Sequence, residues 1–519
     1  MLEIYRPSLR AAGAIAVLFA WLASLGWLGA RRLKQTDETT LTSQASLRLA
    51  PGTVWYALYA GSTQIGNAGI TLDTLSPGYR ISETTALETR NGPGLARATR
   101  LSKVWLGAAM NIVRLESRYS RQGRQAEWAI AFIGDTVSAR LVVAGVMRTQ
   151  GKVRFADAPT VSLAIPYRLA LGGGLAPGRT RAVRMMDAWP FAAGMARLVV
   201  GRDSQVRFAD SSRIAGIAGH WLAVHTDSVR AFSVTVNAAG GPRRLWVDHR
   251  GAVSGVETPL GLTWVRTDFD LSTTEFRKTL AERTTAIQAA VPDLGQLAAT
   301  ASAHDTSTAE RRFLVEHRDG SPVDTALLAL LAGGRQSVQG DTLIVHRVPE
   351  ITAGESVRDT VPDPMIQYDA PAIMRAQRTI VTEALDRERL PALMVAFGAR
   401  VRVDTSATAA EDALGTLSAH AGRPDGVARL FVALLRASGV PSRYVIGIYP
   451  QGDSLLTHAW VEIWSSLAGG WYAVDPVSGN VAANTGLIRL AMGGSSHPDE
   501  MLFMLANARL TDLGRKGTR

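Results

Sequence analysis

Cysteine is absent from all 519 residues. That excludes disulfides, thiolate metal sites and a thiol nucleophile, and it fits either a reducing or an oxidising compartment. Lysine is almost missing too: Lys34, Lys103, Lys152, Lys278 and Lys516 are all there are, so arginine carries nearly the whole formal charge of +11. The arginines are scattered, with no block of about five or six like charges, which argues against nucleic acid as a partner. Weak attraction to anionic envelope polymers or lipid headgroups is physically open, although a merely basic composition accounts for the charge equally well. Long apolar runs are lacking, with one exception. The 46% hydrophobic content is nonetheless enough to bury at least two ordinary cores.

The exception is residues 11–30, "AAGAIAVLFAWLASLGWLGA", which carry no charge and match the length of a bilayer-spanning helix. Arg6 and Arg10 precede the span and Arg31, Arg32 and Lys34 follow it, so charge does not settle the orientation. A cleaved signal peptide is the alternative, but the apolar core is long and Leu28-Gly29-Ala30 is a poor cleavage site. The expectation is an uncleaved anchor at residues 1–33, holding the chain to an inner membrane with its bulk on the periplasmic side.

Residues 34–50 are polar and read as a linker. From 51 to about 270 short alternating runs such as "VWYALYA", "HWLAVHT" and "FSVTVNA" recur between turn signals like Pro77-Gly78 and Gly240-Gly241. They predict an antiparallel, curved or partly closed β-rich domain over 51–290, with a helix-like pattern over 273–290. Gly172-Gly173-Gly174 lacks the lysine and strand–helix context of a phosphate loop and reads as a flexible turn. Residues 291–310 lose periodicity and read as a second linker, 311–371 as a strand-containing connection, and 496–519 as a basic tail. Between them, 372–495 alternates helical and strand patterns, with helices expected over 372–386 and 391–397. The fold class expected is therefore α+β: an N-terminal transmembrane helix, an antiparallel β-rich domain and a C-terminal α+β domain.

The last domain carries the chemistry. Val427, Leu430, Phe431, Leu434 and Leu435 mark a half-buried helix that opens at Pro424-Asp425 and closes at Gly439-Val-Pro441. Strands are expected over 443–448, 458–464 and 471–475. The words "LLRASGVPSRYVIG", "HAWVEIW" and "GGWYAVDP", in that order, resemble the transglutaminase-like superfamily over roughly 376–490. More weakly, "WYALYAGSTQIGNAGI" and "LWVDHRGAVSGVETPLGLTWVRT" resemble β-rich envelope domains that precede such domains.

The resemblance implies a papain-like cysteine–histidine–aspartate site. A thiol at a helix N-terminus is acidified by the helix, a histidine accepts its proton and an aspartate orients the imidazole. Carried across, the histidine is His458 and the aspartate Asp475, while the gapless count from Arg436 puts Pro424 at the cysteine's place. Proline suits a first helical turn but has no attacking atom. His458 and Asp475 then read as a relic dyad whose hydrogen bond is a satisfactory structural pair in its own right. Asp425 reads as a first-turn stabiliser, and Trp460, two residues from His458 on the same strand face, as a cleft wall beside Pro424 and Asp425. Ser438 and Ser442 lie at the wrong end of the helix to replace the thiol, and His420 reads as a surface residue. His458 with Glu462 lacks a third ligand, so no metal is expected, and no cofactor. The implied function is an inactive, membrane-anchored envelope protein that binds peptide or cell-wall components or serves assembly. A cysteine-independent peptidase, amidase or transamidase is the alternative.

Overall fold

The structure is a computed structural model that describes Leu49 and residues 51–514, apart from internal segments of which the longest are 301–308, 348–364, 382–389 and 493–507. Among the described residues two large sheets account for most of the chain. The first has fourteen antiparallel strands between Gly52 and Thr267. Each strand pairs with its successor, except that the eighth and ninth part company and the first pairs with the last through registers such as Trp55↔Thr267. The edge strands are thus Val146–Arg154 and Thr180–Ala188, the latter bridged at Arg184 and Met186 by the backbone of Thr160. This is the antiparallel, β-rich arrangement that the alternating runs predict.

A short helix, Ile165–Leu171, lies between two halves of that sheet. Its Tyr167 and Leu171, with Ala164 just before it, join Tyr79, Leu106, Trp128 and Met186, and its Ile165 and Leu169 join Leu198, Val200, Val234 and Val247. The helix thus fills both clusters, and each fully buried aliphatic contributes about 1.5–3 kcal/mol. The helix-like stretch after Thr267 is a π-turn, Asp270–Glu275, continued by Phe276–Thr279 and then Thr284–Ala290. Phe276 and Ile287 seal one end of the sheet against Ile65.

The second sheet has nine strands. Its order is Gln336–Gln339, Thr342–His346, Glu310–His317, Ala508–Gly514, Ala298–Thr300, Ser454–Ser465, Ser442–Gln451, Ile488–Met492, with Gly470–Val474 also paired to Ser454–Ser465. Two sequence expectations are corrected here. Residues 508–514, read as part of a basic tail, form an internal strand whose Leu510 is buried between neighbours on both sides. Residues 298–300, inside the expected linker 291–310, pair in parallel with that strand. Both stretches are short, and sequence-distant partners leave no local periodicity to read.

The helix Pro424–Ala437 packs on one face of this sheet. The stripe expected for a half-buried helix is present, but Ala428, Val432 and Ala433 are enclosed as well. Helices Pro371–Ile380, Leu390–Gly398 and Ala413–Ala419 contribute to the same core from its other sides. The first of these was expected to reach residue 386, and 382–389 lie outside the described residues. Met365 belongs to the first sheet's core while its carbonyl accepts the Ala413 amide, which ties the two parts together. The expected anchor at residues 11–30 also lies outside the described residues, among which no helix is long and apolar enough to cross a membrane.

Candidate functional site: a histidine–aspartate pair beside a proline-initiated helix

Three elements carry the sequence-predicted residues: the helix Pro424–Ala437 and the strands Ser454–Ser465 and Gly470–Val474. Arg423 is extended and Pro424 takes the first helical position, where a missing amide hydrogen costs nothing. Thirteen residues on, the helix ends through Gly439 and Val440 amides that bond back to the Arg436 and Leu435 carbonyls. The chain then crosses into Ser442–Gln451 and returns as Ser454–Ser465, in a hairpin whose register pairs Tyr444 with Val461, Gly447 with His458 and Arg443 with Glu462. Gly470–Val474 pairs with the far side of the second strand and delivers Asp475 at its end.

His458 Nε2 lies 2.7 Å from Asp475 Oδ2. Asp475 also accepts the amides of Val477 and Ser478 on Oδ1, at 3.0 and 3.1 Å, and the Ser478 hydroxyl on Oδ2 at 2.6 Å. Burial alone would raise its pKa, but the hydrogen bond and charge of His458, helped by the Ser478 contacts, outweigh that and hold the carboxyl below its ordinary value. The tautomer is thereby constrained: Nε2 faces the carboxylate. Nδ1 faces away from it and has no hydrogen-bond partner among the described residues. Tyr449 packs edge-on against the imidazole at 5.4 Å between centroids, and Trp460 stacks behind it at 6.3 Å.

The helix start is engaged elsewhere. Asp425, in the first turn, accepts the hydroxyl of Tyr444, and the Arg429 guanidinium lies 4.4 Å over the same ring. Tyr444, Ala459 and Val461 share the sheet face that packs on the helix, so His458, Trp460 and Glu462 project from the opposite face. No hydrogen bond or ion pair joins Pro424 or Asp425 to His458 among the described residues.

Trp460 corrects the sequence reading. It was expected to wall a cleft, but it is 0% exposed and closed in by Val445, Ala473 and Leu487, with Tyr449 packed alongside. Gly447 makes this possible, because a Cβ there would meet the Trp460 ring at 2.2 Å. A face of alternating residues tells which side a side chain takes, and it does not tell what covers that side. Of the other residues weighed, Ser438 and Ser442 donate to the Leu434 and Val432 carbonyls at the helix's far end. His420 is exposed in a left-handed conformation that ends the helix Ala413–Ala419. No group of three or more metal-binding side chains is found among the described residues.

Sequence reasoning missed the charges behind the pair. Glu462, fully buried, binds Arg443 at 2.6 Å and lies 3.6 Å from Arg489, with Arg335 close enough to act on it electrostatically. Burial would raise the Glu462 pKa, and the three guanidiniums overcome this and lower it. The same burial depresses Arg335 to about 10. Arg443 in turn lies 4.2 Å over the Trp471 ring. The readable signal was the hairpin itself, since any register that places Tyr444 opposite Val461 puts Arg443 opposite Glu462.

The model of the transglutaminase-like superfamily matches residues 373–476. This segment belongs to that superfamily. The match contains Pro424, His458 and Asp475, so the family's nucleophile position falls within a chain that has no cysteine. Two solved structures show slight likeness. One is a candidate cysteine protease from Cytophaga hutchinsonii, 18% identical, with a TM-score of 0.26 over 34% of this chain and 66% of that protein. The other is a β-barrel-like protein of a domain of unknown function from Brucella abortus, 11% identical, with a TM-score of 0.32 over 43% of this chain and 97% of that one. Both likenesses are too slight to bear on function. Among curated proteins, none matches the chain.

Proposed function

We propose that this is a membrane-anchored transglutaminase-like protein of the bacterial envelope that has lost catalysis and acts in binding or assembly. Two observations support the reading: proline begins the helix at the position to which the resemblance assigns the thiol, and the His458–Asp475 hydrogen bond is present. An acyl intermediate needs an attacking atom, and Pro424 offers none. The bonds of Asp475 to Val477 and Ser478 give the pair a structural task that survives the loss. Because Trp460 is enclosed, the surface left for a peptide or cell-wall component is the hairpin beside His458, where Leu456 is 39% exposed. The anchor rests on the uncharged run at residues 11–30.

One observation favours a second reading. The imidazole is oriented by an ionised carboxylate and keeps Nδ1 unengaged, as a general base would. In that reading the protein is a cysteine-independent peptidase, amidase or transamidase. The experiment that separates the two uses the full chain. The parent should show no turnover of peptide, isopeptide or amide substrates, with or without His458→Ala. In Pro424→Cys the single thiol should be alkylated faster at neutral pH than in a model peptide, and His458→Ala should slow it again. Turnover by the parent that vanishes in His458→Ala would establish the enzyme. A Pro424→Cys thiol indifferent to His458 would remove Pro424 from the nucleophile's place. A compartment-specific reporter fused after Asn480 should be active outside the cytoplasm, and activity inside would refute the anchor's orientation.

A further inference from the structure

A second site stands apart from the histidine pair, in the β-rich part of the chain. A pocket of about 290 Å³ opens between the end of the helix Ile165–Leu171 and the edge strand Thr180–Ala188. Leu169, Leu198 and Val200 form its apolar floor, and Gly172, Gly174, Arg179, Thr180 and Arg181 line the rest. The register Leu198↔Arg181 puts Arg181 on the face whose next members, Val183 and Met185, pack into the core. An arginine therefore stands where the alternation calls for an apolar side chain.

Arg168, one residue before Leu169, belongs to the same cluster. Burial lowers its pKa and the charge of Arg181 lowers it further, so the two cations press on one another. Among the described residues none of Arg168, Arg179 and Arg181 forms an ion pair; Arg179 bonds only to the Gly173 carbonyl, at 2.5 Å. Carbonyls at a helix C-terminus do stabilise a cation in the last turn, which accounts for Arg168 alone. They do not account for two more guanidiniums beside a concave wall. Gly173, at φ +61, turns the chain so that the loop borders the pocket.

We propose that this pocket binds an organic phosphate, its phosphoryl oxygens held by Arg179 and Arg181 and its carbon stem lying on Leu169, Leu198 and Val200. Guanidinium forks match phosphoryl oxygens in pairs, and two of them suit a group with three oxygens better than a carboxylate with two. The volume equals roughly ten waters at about 30 Å³ each, room for a phosphoryl group and a short chain.

The test uses the full-length protein in a neutral detergent, titrated with glycerol 3-phosphate, dihexanoyl phosphatidic acid, hexanoate and hexanol, the two phosphates both being monoesters with three free oxygens. Both phosphates should bind, hexanol should not, and hexanoate should bind more weakly than either. Raising salt should weaken the phosphates, and Arg181→Gln should weaken them about tenfold with the thermal midpoint unchanged. Arg179→Gln also removes the Gly173 contact, so its stability must be measured beside its affinity. Tighter binding of the phosphatidic acid would identify a membrane lipid as the source, and tighter binding of glycerol 3-phosphate a soluble ester. The proposal is overturned if neither phosphate binds, if hexanoate equals them, or if Arg181→Gln combined with Arg179→Gln leaves affinity unchanged.

Discussion

Replacing Glu462 by alanine should be among the most damaging single changes available in the transglutaminase-like segment. The carboxylate side chain is 3% exposed and its Arg443 partner 1%, with 2.6 Å between them. Arg489, at 7% exposure, stands 3.6 Å away. At an effective dielectric near 20, a pair of unit charges about 4 Å apart attracts by about 4 kcal/mol. Removing one member of a buried pair costs about 3–5 kcal/mol, because the survivor keeps its desolvation penalty. Here the survivors are three guanidiniums that lose the carboxylate they share, so the upper end of that range is expected. Arg443→Met should cost less, since Glu462 would still have Arg489 and the local excess of positive charge would fall. Urea unfolding followed by tryptophan emission is a suitable assay, because Trp460, Trp464 and Trp471 surround the cluster. The folded Glu462 pKa is depressed, so its contribution is complete above the unfolded value and disappears as pH falls through the folded one. The parent should therefore lose stability in acid more steeply than Glu462→Ala. A cost below about 1 kcal/mol, or an arginine change worse than the glutamate change, would refute the assignment of Glu462 as the charge hub.

Asp475→Ala should cost about 3 kcal/mol by stranding the donors of His458, Val477 and Ser478. Since the Asp475 pKa is lowered in the folded state, the stability it supplies is likewise present above the unfolded value and lost in acid, and a pH series of melting curves comparing parent and variant checks this. Trp460→Ala should cost about 3–5 kcal/mol as a cavity and leave any peptide affinity of the folded fraction unchanged, which titration after stability correction tests.

The C-terminal fold could be read far in advance because its signals are local. A helical stripe, a proline at its start, a glycine just past its end and three alternating strands place Pro424, His458 and Asp475 by counting alone. What could not be read is what lies over a face. Trp460 sits on the strand face expected of it, yet its cover comes from Val445 and Ala473 on neighbouring strands and from Leu487 just before the strand Ile488–Met492. The helix buries more than its stripe for the same reason, since its outer side is claimed by helices from 371–380 and 413–419. Glycines 172–174 were rightly a turn, at φ +61 for Gly173, but their neighbours in space include Arg181 across a strand edge. Pairings across roughly 200 residues, such as Val315↔Leu510, leave no trace in a window of ten.

That last pairing puts a clock on the molecule. Residues 310–317 and 508–514 are separated by about 190 residues, and the sheet has a gap between Glu310–His317 and Ala298–Thr300 until the strand Ala508–Gly514 arrives. At roughly 5–20 residues per second, synthesis of the intervening stretch takes about 10–40 s. During that interval the strand Glu310–His317 presents unpaired amides and carbonyls on one side, the condition under which strands recruit wrong partners. The sheet that carries the segment matched by the family model is therefore completed only once residues 508–514 have been made.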